Sequence, residues 1–197
     1  MSCRSLPLDG LLEAFSDAGP APAAGGAAVI AVALSAALCV MTARLSTRHT
    51  EEAHDIAAEA LSIRDDMAPL CDRDAEAYLR VMTETRRPDD GDVEERERRM
   101  TAALSEASDV PVAVVTAGAR VARLASTLAE KGNPSVRGDA VAAAVLAGAG
   151  AEAAGVLVRV NLAEHPDDDR HRMVSDLLES AAASVERARR SVGNPVG

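Results

Sequence analysis

The stretch Ala21–Ala43 reads APAAGGAAVIAVALSAALCVMTA and carries no charged residue. Ala is the strongest helix former, and no aromatic residue favours a strand here. A run of this length raises the question of a membrane span. Ala and Gly, however, partition into lipid weakly beside Leu, Ile and Phe. The sequence also offers no second such span and no aromatic belt. The stretch is therefore read as a fully buried central helix, running to about Leu45, and the fold class as all-α.

Composition outside this stretch agrees. Phe15 and Tyr78 are the only aromatic residues, so the core must be built from Ala, Val, Leu, Ile and Met. Small side chains let helices approach closely, as in a tight bundle. The length suits one domain, residues 1–197. A net charge of -10 argues against nucleic acid, which needs a basic footprint, and against an anionic membrane surface. Cys3, Cys39 and Cys71 are widely spaced and make neither a metal pattern nor a complete disulfide framework. That usage fits a reducing, cytoplasmic location. No basic stretch followed by an apolar one marks a signal peptide.

Helical periodicity predicts about seven helices and no strand, in an antiparallel bundle of six to seven helices with short loops. Leu8, Leu11, Leu12 and Phe15 share one face of a helix over Leu6–Ala18, which Gly19 and Pro20 end. Thr50–Arg86 reads as one long amphipathic helix with Thr50 as N-cap, kinked at Pro69. Its apolar side runs from Ile56, Ile63 and Met67 to Leu79 and Met82. The segment from Arg86 to Asp92 is a polar loop, and Val93–Ser108 a charged helix. The next helix starts at Pro111, ends at Lys131 and is capped by Gly132. An apolar helix then runs from Pro134 or Ser135 to Leu162. Asp167–Arg190 is the last, with Met173, Leu177, Leu178 and Val185 inward. Val192–Gly197 is expected to fray.

Two segments place polar groups at helix ends. In the first, Asp72 and Asp74 are two positions apart and cannot share a helix face. Asp72 pairs instead with Glu76, and Asp74 with Tyr78, at one-turn spacing. A solvated acidic turn is the plainer reading of such a charge run. In the second, Lys131 is the only lysine of the chain. Asn133 follows it, and Asp139 sits in the first turn of the apolar helix. Asp139 suits the helix dipole, and its apolar neighbours would also desolvate it and raise its pKa. Gly25 and Gly26 allow close backbone approach to a ligand at a helix N-terminus, or simply a close helix crossing. Arg159 and Asn161 are polar residues near the end of an apolar helix. A buried Asn there needs a partner such as a facing backbone group. His49, His54, His165 and His171 form no paired metal motif, so no catalytic metal is expected. Phosphate-loop, dinucleotide and nucleophile-elbow motifs are absent.

In order along the chain, these features resemble the cyclodeaminase/cyclohydrolase family that acts on tetrahydrofolate. The resemblance runs from about Leu8 to Val185. It rests on Pro22–Gly26, on Asp72-Arg73-Asp74-Ala75-Glu76-Ala77-Tyr78, on Glu130-Lys131-Gly132-Asn133 with Ser135 and Asp139, and on Val158-Arg159-Val160-Asn161-Leu162. The family's loop is usually Pro-Gly-Gly-Gly-Ser, whereas this chain has Pro22-Ala23-Ala24-Gly25-Gly26. Gly138 and Leu157 replace a frequent Ser and Asn.

The resemblance implies an all-helical homodimer with its folate pocket near the subunit interface. In cyclodeamination, N10 of 5-formiminotetrahydrofolate attacks the formimino carbon and ammonia leaves. Cyclohydrolysis adds water to the cationic bridge of the product, 5,10-methenyltetrahydrofolate. Either reaction needs a proton carrier and stabilisation of positive charge, which a positioned Asp supplies without metal or redox cofactor. On this reading Asp72 is the acid/base, with Asp139 or Asp74 assisting. Gly25 and Gly26 approach the ligand, Lys131 and Asn133 orient the pterin or its linking amide, and Arg159, with Asn161 on the same helix, steers the substrate carboxylates. The altered loop leaves one alternative, a dimer of the same fold that binds a folate or another partner without turnover.

Overall fold

The structure is a computed structural model. It describes residues 2–19, 21–88 and 92–193. Among these the chain forms eight α-helices and two short 3-10 helices, Cys3–Ser5 and Pro134–Val136, and no strand. The α-helices are α1 (Leu8–Ser16), α2 (Ala24–Arg44), α3 (Ala53–Met67), α4 (Leu70–Arg86), α5 (Val93–Ala107), α6 (Asp109–Lys131), α7 (Arg137–Asn161) and α8 (Asp169–Gly193). All-α is the fold, as periodicity and composition predict. The extra helix comes from Pro69, which separates α3 from α4 outright where a kink was expected. Proline cannot donate the helical hydrogen bond and crowds the preceding turn.

The centre of the bundle is α6 rather than the Ala-rich α2. Val114, Val115, Val121, Ala122 and Ala125 on α6 are completely buried, and α2, α7 and α8 all pack against it. Small residues set these crossings. A Cβ on Gly118 of α6 would lie 2.9 Å from both the Ala147 carbonyl oxygen and the Ala151 Cβ of α7. The α2–α7 pair runs antiparallel. Gly150 sits against Val32 and Ala28, and the Ser35 hydroxyl donates to the Ala143 carbonyl at 2.5 Å.

One face of α2 stays open, contrary to the expectation of full burial. Val32, Ala36 and Cys39 are buried, while Leu34 (59% exposed), Met41 and Leu45 are not. On α7, Leu146, Val156 and Val160 are exposed as well. Nor is α2 alone in its apolar length: Val93–Lys131 and Pro134–Asn161 also meet the length and hydropathy of a membrane crossing. Apolar composition marks burial of one face here, and it cannot separate a central helix from one with an uncovered outer face.

Smaller departures have similar causes. Leu79 and Met173 are exposed, and Val174 takes the inward position on α8. No residue of α1 is buried, although Leu11 and Phe15 are half-covered. Glu52, rather than Thr50, holds the N-cap position of α3, after a run of turns from Leu45. Asp92 caps α5 by accepting from the Glu95 N–H. The expected polar loop and the frayed terminus fall in part on residues 89–91 and 194–197, outside the described residues; Val192 and Gly193 are helical.

Candidate active site

The break at Pro69 starts α4 beside the N-terminus of α2, and α4 carries the paired acids. Their spacing sends them to different clefts, as helix geometry requires. Asp72 and Glu76 line one of about 380 Å3 together with Ser2, Cys3 and Pro22. Asp74 and Tyr78 line another of about 200 Å3, closed by Gly25, Pro111, Leu157 and Asn161.

Asp74 lies where a carboxyl group is useful. Nothing on Ala23 caps α2, so the first-turn N–H groups need an acceptor from elsewhere. Asp74 supplies it by accepting from the Gly26 N–H. Desolvation pushes the Asp74 pKa above the ordinary carboxylate range, and the Gly26 bond offsets only part of that rise. The approach demands glycine. A Cβ on Gly25 would run into the Asp74 carboxylate, and one on Gly26 would lie 3.1 Å from the Cys71 sulfur. The two glycines kept in the altered loop are therefore the two that face these side chains, while Ala23 and Ala24 add methyl groups to the wall.

Asp72 is placed differently. Its carboxylate accepts from the Ser2 hydroxyl at 2.5 Å and the Cys3 N–H at 2.8 Å. The Ser2 bond, followed by the Cys3 bond, holds its pKa below the usual range. An acid fixed in the ionised form and tied to the N-terminal segment is a poor proton carrier.

Asn161 reaches the Asp74 cleft from α7. Its Nδ2 donates to the Ala107 carbonyl at 3.1 Å, which leaves the amide oxygen free to accept. Arg159 points away into the groove between α7 and α8, with His171 and Glu179. Tyr78 belongs to the cleft and is absent from the sequence-derived set, although its one-turn spacing from Asp74 carries the signal.

The other expected residues gather at the far end of α2. Lys131 Nζ pairs with Glu52 at 2.7 Å on the surface. Asn133 ties the α6–α7 turn to α2: its N–H donates to Ser46 Oγ and its Nδ2 to the Leu45 carbonyl, each at 3.0 Å. Gly132 is needed there for closeness rather than for a left-handed turn. Its φ is -79°, and a Cβ would lie 2.8 Å from Ser46 Oγ. Asp139 is half-buried in the first turn of α7. A helix such as α2 is about 30 Å long, so one chain holds Gly25, Gly26, Asp74 and Asn161 at one end and Lys131, Asn133 and Asp139 at the other.

The formiminotransferase-cyclodeaminase family matches residues 7–180. The methenyltetrahydrofolate cyclohydrolase of Methylorubrum extorquens is 31% identical over 201 residues, covering 96% of this chain and 97% of the relative. The crystal structure of formiminotetrahydrofolate cyclodeaminase from Thermotoga maritima superposes with a TM-score of 0.79 at 25% identity, covering 95% of this chain and 94% of that one.

Proposed function

The chain belongs to the formiminotransferase-cyclodeaminase family, and we propose that within it the chain is a methenyltetrahydrofolate cyclohydrolase whose proton carrier is Asp74. The observation that carries this reading is Asp74 itself: a half-buried carboxyl group with a raised pKa, set in a cleft beside a polar amide. A carboxyl poised nearer the working pH transfers protons in both directions more readily than one held fully ionised. The near end-to-end match with a relative named as a cyclohydrolase favours water over an internal amine as nucleophile.

The proposed chemistry balances on one proton relay. The Asp74 carboxylate takes a proton from water as its oxygen adds to the methenyl carbon. It returns that proton to N5 as the carbon–N5 bond breaks, and the hydroxyl proton of the adduct passes to solvent as the carbonyl forms, leaving a formyl group on N10 and releasing one proton overall. The negative form of Asp74 also stabilises the cationic bridge before attack. Asn161 and Tyr78 offer polar contacts to the pterin. Cyclodeaminase activity is the second reading, favoured by the match with the Thermotoga enzyme; the same carboxyl would then protonate departing ammonia. No step requires a metal or a redox cofactor.

The site is proposed to be completed by a second copy of the chain. A cleft of about 200 Å3 falls below the roughly 300–1,000 Å3 usual for small-molecule sites. The exposed apolar faces of α2 and α7 lie between the two groups of site residues. A two-fold axis through that face would bring Lys131, Asn133 and Asp139 of one subunit towards Asp74 of the other. This covers the apolar surface without lipid and fits a soluble, cytoplasmic homodimer.

The deciding assay follows the methenyl absorbance with each folate separately. Enzyme-dependent loss with 5,10-methenyltetrahydrofolate is the expected result. Its appearance from 5-formiminotetrahydrofolate with ammonia release would replace hydrolase by deaminase, and inactivity of a folded dimer on both would sink the enzymatic reading. Asp74→Asn is expected to lower turnover by about 10²–10⁴-fold, the usual worth of acid–base catalysis. An active Asp74→Asn beside an inactive Asp72→Asn would return the role to Asp72.

A further inference from the structure

Cys3 and Cys71 are far apart in sequence, yet the fold brings them together at the start of α4. The two sulfurs and the Asp72 carboxylate lie within 4.8 Å of one another. Their surroundings are organised. The N-terminal segment folds into a 3-10 turn over Cys3–Ser5 and closes onto α4 through the Ser2 and Cys3 bonds to Asp72. Those two bonds occupy one direction on each carboxylate oxygen and fix the plane of the group, as outer hydrogen bonds do for metal-binding carboxylates. Glu76, one turn further along, lines the cleft that opens on the cluster.

We propose that Cys3, Cys71 and Asp72 form a site for a thiophilic divalent cation of the zinc type, with water or Glu76 in the fourth position. Two thiolates and one carboxylate suit a tetrahedral d10 ion and disfavour magnesium or calcium, which select oxygen ligands. The thiols, of which Cys71 is buried and Cys3 half-exposed, give their protons to solvent as the ion enters, so binding weakens as pH falls. The bound ion would clasp the N-terminal segment to α4. That clasp sits behind Gly26, whose N–H holds Asp74, but its ligands lie outside the Asp74 cleft.

Cobalt(II) is the probe, because thiolate ligation gives an intense near-ultraviolet charge-transfer band that needs no turnover. The full chain, reduced and anaerobic, is titrated with cobalt and then with zinc. The expected result is one ion per chain, a thiolate-to-cobalt band, and displacement of cobalt by zinc. Cys3→Ser is the primary variant, since Cys3 is half-exposed whereas Cys71 is buried. It should bind at least about tenfold more weakly with a diminished band, and Asp72→Asn should weaken binding with the band retained. Absence of the band from reduced, folded protein would overturn the proposal. So would an unchanged band in Cys3→Ser, or recovery of the pair only as a disulfide whose reduced form ignores cobalt.

Discussion

At the scale of the residue, Asp74 has an identifiable effect on stability that differs in sign from that of most carboxylates. Desolvation raises its folded pKa above an unfolded value of about 3.9. Its contribution to stability is therefore fully present below the unfolded value and is lost as pH rises through the folded one. At pH 8 the wild type holds a partly desolvated charge that Asp74→Asn lacks, while the Asn oxygen can still accept from the Gly26 N–H. The variant should therefore melt at or above the wild-type temperature at pH 8, and the gap should narrow as pH falls towards 4. Asp72 and Asp168 have lowered pKa values, so both chains lose stability in acid. The comparison must be the difference between the two melting curves at each pH. A variant less stable than the wild type throughout would make α2 capping the main role of Asp74. Spacing alone shows that Asp72 and Asp74 diverge, and that Asp74 shares a face with Tyr78. It does not say which acid is desolvated, because that depends on the N-terminus of α2 and on Ser2 and Cys3, which are distant in sequence. For the same reason the pairing of Cys3 with Cys71 is invisible in their positions along the chain.

At the scale of the element, glycines distinguish close helix crossings from incidental positions. Gly118 has no room for a methyl group against α7, since the obstacles are the Ala147 carbonyl and the Ala151 Cβ. Gly138, in the first turn of α7, has nothing within 4 Å. Replacing Gly by Ala favours a helix by up to about 1 kcal/mol, while overpacking a tight core costs about 1–3 kcal/mol. Gly118→Ala should therefore come out destabilised by about 1 kcal/mol after the two effects are set against each other. Gly138→Ala should gain about 0.5 kcal/mol. Urea unfolding of both variants checks the pair. Equal shifts would mean that α6 and α7 can move apart at no cost. Helix positions were legible because apolar periodicity, Gly132 and Pro134 punctuate the chain clearly. The separation of α3 from α4 at Pro69 was legible only as a kink, since sequence marks a lost hydrogen bond but not how far the axes then diverge. The position of α2 in the bundle was misread because an apolar outer face and an apolar core face have the same composition.

At the scale of the whole molecule, the expected folate-contacting residues fall into two groups at opposite ends of α2, and one chain cannot bring them together. Leu34 and Met41 on α2 and Leu146 and Val156 on α7 are exposed, and the two helices pack against each other. If two chains meet there about a two-fold axis, each site draws Asp74 from one subunit and Lys131, Asn133 and Asp139 from its partner. Asp74→Asn and Asp139→Asn would then each silence both sites of their own homodimer. Mixing the two inactive proteins under conditions that exchange subunits creates hybrids with one doubly altered site and one intact site. At equal proportions half of the dimers are hybrids, so turnover should recover to roughly a quarter of wild type per subunit. No recovery despite demonstrated exchange would place both groups' roles within one chain or remove Asp139 from the site. Leu34→Glu gives the complementary test by sedimentation, because a charge buried at the interface opposes association. It should yield a folded monomer with little turnover. A fully active monomer would show that the cleft around Asp74 needs no partner, and a Leu34→Glu protein recovered only in detergent would assign the apolar face to lipid.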